Sequence, residues 1–316
     1  MDNVVESSKQ DILTLLNNNA NIEDKNDEGR TLLVRASADG YLDIVIELLD
    51  RNAEIEAKDK HGYTPLFCAS LNGHLDIVKE LLNRNANIEA IDEDGDTPLL
   101  GAAINDREDI IVELLNRNAD INATNNSGFT SLHITSNKNI IVELLNRNAN
   151  IECIDIDGDT PLIIASRCNE LDILVELLNR NANINAKNNC DQTPLIFACI
   201  NSQSDVIIEL LNHNANIKVK DDEGYTPYDY AVSNCLSEEI IELLKPKNLI
   251  KDCEVKENDL DYKNTVIKRI TCPICLINER KIFFNCGHST CNDCSLKISK
   301  CSECKVEIVD RITLYL

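Results

Sequence analysis

The sequence contains no apolar run near the 18 residues that a membrane-spanning helix requires, and it contains no tryptophan. Its first residues, Met-Asp-Asn-Val-Val-Glu, lack the apolar core of a secretory signal. We therefore expect no membrane partner. The expected location is the cytoplasm, with the nucleus as the alternative compartment.

Positive charge is also scarce: 31 Lys and Arg stand against 54 Asp and Glu, a net charge of −23. The imbalance lies in residues 1–244, which hold 18 cations and 44 acids. Because a nucleic-acid binder needs cations facing phosphates, we expect no nucleic-acid partner. The acidic surface either favours a basic partner or only keeps the chain soluble.

A threonine recurs along most of the chain at intervals of 33 residues, with one interval of 30, at Thr31, Thr64, Thr97, Thr130, Thr160, Thr193 and Thr226. A pair of leucines follows each one. The pattern Gly-x-Thr-Pro-Leu-x-x-Ala is complete at 62–69, and with this period it resembles the ankyrin repeat. The resemblance implies stacked helix pairs over residues 1–245, as six full repeats with partial ones at the ends.

The local signals within each repeat fit helix pairs. A threonine followed by proline is suited to cap and start the first helix. Asn stands where the family consensus has a glycine after the second helix, and Asn tolerates the left-handed conformation; these residues are Asn19, Asn52, Asn85, Asn118, Asn148, Asn181 and Asn214. Asp191 replaces the hairpin glycine and is expected to turn as well. The fourth repeat is three residues short between Ile134 and Asn139, which predicts a clipped first helix or turn.

Ankyrin arrays bind other macromolecules on a concave face made of hairpin tips and first helices, and such an array has no single catalytic pocket. The resemblance therefore implies a protein substrate on that face, contacted by the variable tip residues Arg30, Tyr63, Asp96, Phe129, Asp159, Gln192 and Tyr225. Aromatic tips are candidate hot spots. The alternative is that they pack on neighbouring hairpins.

Half of the 14 cysteines lie near the C-terminus, in the spacing C-x2-C-x10-C-x-H-x2-C-x2-C-x6-C-x2-C from Cys272 to Cys304. Eight Cys and His ligands suit two tetrahedral zinc ions, and so short a segment needs metal to fold. The spacing leaves open whether the two sites interleave or follow one another.

The other seven cysteines have no paired spacing, so we expect ordinary core residues and no cysteine catalysis.

This order of ligands resembles the RING finger, and most RING fingers are ubiquitin ligase modules. By that resemblance the first zinc is held by Cys272, Cys275, Cys291 and Cys294, and the second by Cys286, His288, Cys301 and Cys304. The family also implies that Ile274, Leu296 and Lys305 contact a ubiquitin-conjugating enzyme and position ubiquitin, without a nucleophile. Two residues depart from the family pattern. Ser302 replaces a common proline, and Lys305 replaces a common arginine.

The sequence thus predicts a mostly α protein: an ankyrin-repeat solenoid (1–245), a linker (246–270) and a small zinc-bound RING domain with a C-terminal tail (271–316). The predicted activity is that of a RING-type ubiquitin-protein ligase. The alternative is a non-enzymatic scaffold with a structural or dimerising zinc module. The tail, which alternates in part between apolar and polar residues, resembles the tails of RINGs that form homodimers. In those the tail of one protomer reaches the partner and helps hold ubiquitin, and Tyr315 would be the residue that does so. Alternatively, the tail closes the module's own small sheet.

Overall fold

The computed structural model describes residues 9–10, 12, 14–15, 21–246, 281–284, 289–291 and 311–312. It divides into two compact units, Met1–Asn189 and Cys190–Leu316, and each is described by itself. The division falls inside the predicted repeat region. The predicted boundaries at residues 245 and 270 stay predictions.

Over residues 21–189, the first unit is built from five pairs of helices joined by hairpin loops. The pairs are α1 Leu32–Asp39 with α2 Leu42–Asp50, α3 Pro65–Asn72 with α4 Leu75–Asn83, α5 Pro98–Ile104 with α6 Glu108–Asn116, α7 Ser131–Ile134 with α8 Lys138–Asn146, and α9 Pro161–Cys168 with α10 Leu171–Asn179. Consecutive hairpins are hydrogen-bonded through their backbones, as in Glu93 N to His61 O at 3.0 Å and Asn126 N to Asp94 O at 2.9 Å.

The second unit continues the same pattern and adds three short strands. Its helices are α11 Pro194–Ile200, α12 Ser204–Asn212, α13 Pro227–Ser233 and α14 Glu238–Leu244. Strands β1 Lys281–Phe284, β2 Ser289–Cys291 and β3 Arg311–Ile312 form an antiparallel sheet in the order β2-β1-β3. Ile282 lies opposite Thr290, and Phe283 lies opposite Ile312. The segment containing Ile312 is a strand, as predicted, and it pairs with a strand of its own chain.

The first helices begin as the threonine pattern predicts. The Thr64 hydroxyl accepts a hydrogen bond from the Phe67 backbone N–H at 3.2 Å, and Pro65 occupies the first helical position. Such a cap satisfies a backbone donor that the helix itself cannot. The same cap is present at Thr31, Thr97, Thr160 and Thr193.

The second helices end as the asparagine pattern predicts. Six of the seven asparagines adopt left-handed backbone, with φ between 61° and 64°: Asn52, Asn85, Asn118, Asn148, Asn181 and Asn214. Asn19 lies outside the described residues. Asp191 has φ 58°, so it also turns as expected. Asn can hold this conformation without glycine because its short polar side chain tolerates it.

The three-residue deletion in the fourth repeat shortens the first helix. Helix α7 has 4 residues, whereas α1, α3 and α9 have 8 and α5 has 7. Extended backbone at Thr135, with ψ 135°, ends it. The prediction of a clipped helix is therefore confirmed, and the second helix of the repeat keeps its full 9 residues.

The core follows the leucine pairs. The first leucine is fully buried in six pairs, at Leu48, Leu81, Leu114, Leu144, Leu177 and Leu210. The last pair buries its second leucine, Leu244, and leaves Leu243 57% exposed. Burying one such side chain contributes about 1.5–3 kcal/mol. Because each helix pair covers its apolar face with its neighbours, stability depends on adjacent repeats.

A second link between repeats lies on the surface, at the end of the second helices. Arg117 contacts Glu113 within its own helix at 3.0 Å and donates to Asn83 of the preceding repeat at 2.9 Å. Arg84, Arg147 and Arg180 make equivalent links to Asp50, Asn116 and Asn146. Because these pairs are exposed to solvent, each contributes little to stability.

The shortened repeat contains a buried defect that a substitution should repair. Ser131 occupies the position that proline holds in the neighbouring repeats, and its hydroxyl is buried without a hydrogen-bond partner. We expect Ser131→Pro to raise the free energy of unfolding by about 0.5–1 kcal/mol, because it removes the orphaned hydroxyl and restricts the unfolded chain. Urea denaturation measures this change. Ser131→Ala separates the hydroxyl from the backbone effect, and a destabilised proline variant would contradict the prediction.

Candidate functional site

The predicted substrate-contact residues all lie immediately before the capping threonines, at the ends of the hairpins. Arg30 is half-buried, and its Nε donates to Asp59 of the next hairpin at 3.1 Å. This residue therefore links two repeats. Its predicted role in substrate binding stays a prediction.

Asp96 and Asp159 are buried instead of exposed. Asp96 Oδ1 accepts from Asn125 Nδ2 at 2.9 Å, and Asp159 Oδ1 accepts from Asn188 Nδ2 at 2.9 Å. Arg167 also pairs with Asp159. Burial raises the pKa of both carboxyl groups above the ordinary value for aspartate. Their carboxylates face neighbouring residues and not solvent, and their predicted role in substrate binding stays a prediction.

The aromatic tip residues differ in their solvent exposure and in the rings they contact. The Tyr63 ring stacks on Phe67 with centroids 4.6 Å apart, and Phe129 lies 5.9 Å from His133. Both are half-buried, so they pack within the first unit. Tyr225 is 36% exposed and contacts Tyr230 edge-on at 5.7 Å. Gln192 is half-buried. Among these four residues, Tyr225 is the most accessible to a partner.

Sequence reasoning missed the partner of each charged tip residue, which is the turn residue of the next hairpin. Turn residues such as Asn125 lie five positions before the capping threonine, and each fixes its own hairpin by accepting two backbone N–H groups. Asn125 Oδ1 accepts from Ser127 N and Phe129 N, both at 3.0 Å. A cationic tip faces an aspartate at this position, whereas each aspartate tip faces an asparagine. A comparison of residues 29 positions apart could have revealed this complementarity.

A buried cysteine and histidine lie close together in the fourth and fifth repeats. Cys153 Sγ is 3.7 Å from His133 Nδ1, and His133 Nε2 is 3.2 Å from the Asp159 carbonyl oxygen. Burial raises the pKa of Cys153 and lowers the pKa of His133. The pair is therefore a neutral thiol and a neutral imidazole near neutral pH. An activated cysteine nucleophile needs the opposite shift of the thiol pKa.

Two open clefts lie beside the shortened repeat. One of about 720 Å³ is lined by Asp106, Ser136, Asn137, Lys138 and residues 169–173. A second of about 590 Å³ shares Asp106. Among the described residues, no group of three or more His, Cys, Asp and Glu is placed to hold a metal ion. The described array offers contact surfaces, in keeping with a binding role.

Nearly all of the predicted zinc module lies outside the described residues. This applies to the ligands Cys272, Cys275, Cys286, His288, Cys294, Cys301 and Cys304, and to Ile274, Leu296, Lys305 and Tyr315. The backbone of Cys291 is described, and it pairs with Lys281 across β1 and β2. Over the parts of the chain that are described, no helix has the length and apolarity to cross a membrane.

Comparison with known families confirms the repeats. A model of ankyrin repeats in three copies matches residues 3–92, 53–125 and 99–188, and a second ankyrin-repeat model matches residues 177–231. The crystal structure of the ankyrin repeat domain of Bcl-3, a member of the IkappaB protein family, is similar with a TM-score of 0.61 and 27% identity. That similarity covers 70% of this chain and 100% of the other.

Short stretches are shared with proteins named E3 ubiquitin-protein ligases. The chain is 53% identical over 45 residues to RGLG4 of Arabidopsis thaliana, covering 14% of this chain and 11% of the relative. It is 43% identical over 49 residues to MIB2 of Gallus gallus, covering 16% and 5%. It is 48% identical over 44 residues to RGLG3 of Arabidopsis thaliana, covering 14% and 12%. The chain thus matches only a small part of each relative's length.

The pairing of tips with turn residues predicts the effect of a charge change. Asn125→Asp places a second carboxylate against Asp96, so we expect the free energy of unfolding at pH 7 to fall by about 1–3 kcal/mol. The double variant Asp96→Asn with Asn125→Asp exchanges donor and acceptor and should recover most of the loss. Urea denaturation tests both. An undiminished stability of the single variant would contradict the pairing.

The buried His133 side chain should make the free energy of unfolding depend on pH. Its folded-state pKa lies below the unfolded value of about 6.5, so folding favours the neutral ring. This contribution is complete above the unfolded pKa and is lost as the pH falls below it. Between pH 7.5 and 5.5 we expect the native protein to lose more stability than His133→Gln, by at most about 1.4 kcal/mol. Equal losses in parallel urea titrations would argue against it.

Proposed function

The chain belongs to the ankyrin-repeat family, and from this premise we propose that it is a RING-type ubiquitin-protein ligase. The repeats in residues 1–245 recruit a protein substrate. Residues 271–316 form a two-zinc RING module that engages a ubiquitin-charged conjugating enzyme.

The ligand spacing from Cys272 to Cys304 carries the proposal. Seven thiols and one imidazole are the donor set that structural zinc prefers, and the count fits two closed sites. Cys286 and His288 fall in the sequence between β1 and β2, which form an antiparallel pair. A Cys and a His separated by one residue are close enough in the sequence to bind the same metal ion. When bound, zinc supplies the folding free energy that so short a segment lacks.

The proposed mechanism uses the chain's own side chains to position the reactants. Ile274 and Leu296 provide the apolar contact with the conjugating enzyme, and Lys305 donates hydrogen bonds to the enzyme and to ubiquitin. Holding the thioester-linked ubiquitin in one orientation lowers the entropic barrier to transfer. Because Lys305 lacks the planar fork of arginine, its grip on two acceptors is weaker.

The relatives named as ligases support the proposal, but the cysteine pattern and not the names carries it. The shared stretches are 44 to 49 residues long. That length is close to the length of residues 271–316, and it also exceeds one 33-residue repeat. The repeats contribute the substrate-binding half. The proposed contacts are the seven tip residues Arg30, Tyr63, Asp96, Phe129, Asp159, Gln192 and Tyr225.

A reconstituted ubiquitination reaction tests the enzyme-contact residues. We expect Ile274→Ala and Lys305→Ala each to slow ubiquitin-chain formation about tenfold, the equivalent of about 1.4 kcal/mol of transition-state stabilisation. Ile277→Ala is the matched control, because it removes an isoleucine of the same segment outside the Cys-Pro-Ile-Cys sequence. Unchanged rates in the first two variants would contradict the assigned contact.

The metal content gives an independent test. We expect the purified protein to contain two zinc ions per chain. Cys272→Ser and Cys286→Ser should each lower the number of zinc ions bound per chain. Chelation should abolish ligation while leaving the helical circular-dichroism signal of the repeats. A protein that carries two zinc ions and yet is inactive with every conjugating enzyme would favour the scaffold function instead.

A further inference from the structure

Three isoleucines in the hairpins of the first unit are unusually open to solvent. Ile91 is 51% exposed, Ile154 is 60% exposed and Ile156 is 65% exposed. These side chains contribute little to the core. Scattered apolar residues on a surface are ordinary, but a group of them on one edge marks an interaction site.

The surrounding repeats show that packing does not require isoleucine at these positions. Ile91 and Ile154 lie six residues before the capping threonine, where other repeats carry Lys25, Lys58 and Lys187. Lys25 Nζ donates to the Lys58 carbonyl oxygen at 2.8 Å, and Lys58 Nζ donates to that of Ile91 at 2.7 Å. Isoleucine cannot form this link between hairpins. It replaces a stabilising cation with an exposed apolar side chain.

The same stretch has one sign of charge. The hairpin segments 85–96, 118–129 and 148–159 contain no Lys or Arg, whereas the segments on either side contain Lys58, Lys60 and Lys187. They expose six acidic residues: Glu89, Glu93, Asp94, Asp120, Glu152 and Asp157. The hairpins are adjacent, since Asn126 N donates to Asp94 O and Ile156 N donates to Ser127 O. Together the three isoleucines and six acids form what we call the isoleucine edge.

We propose that the isoleucine edge binds an extended segment of a partner protein that presents Lys or Arg and large apolar side chains on the same face. The isoleucines gain by being covered with apolar surface, and the acids select cations next to it. An acidic segment or a nucleic acid would be repelled. This inference deepens the proposed function, on which it rests, by giving the chemical class of the recruited substrate.

The repeat geometry sets the spacing of the apolar anchors. Ile91 and Ile154 lie two repeats apart, and helices in contact pack about 8–10 Å apart, which places the two side chains roughly 20 Å apart. An extended segment advances about 3.3 Å per residue, so its anchors are about six residues apart. A segment of about ten residues therefore spans the edge.

Fluorescence anisotropy with synthetic peptides tests the proposal on the full, zinc-loaded chain. The probes are three twelve-residue peptides composed of Lys and Leu, Lys and Ser, and Glu and Leu, each with both of its residue types on the same face of the extended chain. We expect the Lys–Leu peptide to bind most tightly. The double variant Ile154→Asn with Ile156→Asn should raise its Kd about tenfold or more, because burying one isoleucine contributes at least that factor. Ile104→Asn is the control, since Ile104 is 46% exposed at the end of α5, outside the hairpins.

The outcomes are distinct. Equal binding of the Lys–Ser and Lys–Leu peptides, or an unchanged Kd in the double variant, would show that net charge alone attracts the peptide and would overturn the proposal. Tightest binding of the Glu–Leu peptide would overturn it as well. The assay contains no ubiquitin or conjugating enzyme. Peptide binding without ligase activity would therefore remove only the ligase proposal, and ligase activity without peptide binding would remove only the isoleucine edge.

Discussion

The array depends on the hydrogen bonds made by one turn residue in each hairpin. Asp92 Oδ1 accepts from the backbone N–H groups of Asp94 and Asp96, and Asn125 does the same in the next repeat. This closes the hairpin and places the residue before the threonine cap against the following repeat. The cap then orients the first helix, and the helix pair covers the core of its neighbours. A local turn thus fixes the register of the whole stack.

The excess of acidic residues adds an energetic cost to this arrangement, because some of the carboxylates are buried in the hairpins. Burial raises the pKa of Asp92, Asp96 and Asp159, which means that each ionised carboxylate lies in an unfavourable environment. The chain limits the cost by pairing Asp96 and Asp159 with asparagines, because an amide donates a hydrogen bond and adds no second negative charge. The buried carboxylate of Asp59 has a cation as its partner instead, because Arg30 pairs with it. Charge is therefore distributed according to which residues meet across repeats, and not only according to solubility.

The sequence was sufficient for features governed by local chemistry. Threonine caps, left-handed asparagines such as Asn85 and the short helix α7 follow from backbone preferences within a few residues, and all three are confirmed. It did not reveal the pairing of Asp96 and Asp159 with asparagines that lie 29 residues further along the chain. Variation between repeats looked like variation on a contact surface, but it reflects the changing partner in the next hairpin. The zinc ligands stay a prediction from their spacing, and their interleaved order is a prediction from family resemblance.

The isoleucine edge is possible because hairpin stacking has more than one source. Backbone hydrogen bonds such as Glu93 N to His61 O join neighbouring hairpins whatever side chain follows. Glu56 and Glu89 add side-chain links to Asn87 N and Asp120 N at 2.7 and 2.8 Å. A lysine link such as that of Lys58 is therefore one contribution among several, and a repeat can lose it without losing its register. Positions released in this way can carry side chains selected for a partner, which is how a repetitive array acquires a specific surface at only some of its repeats.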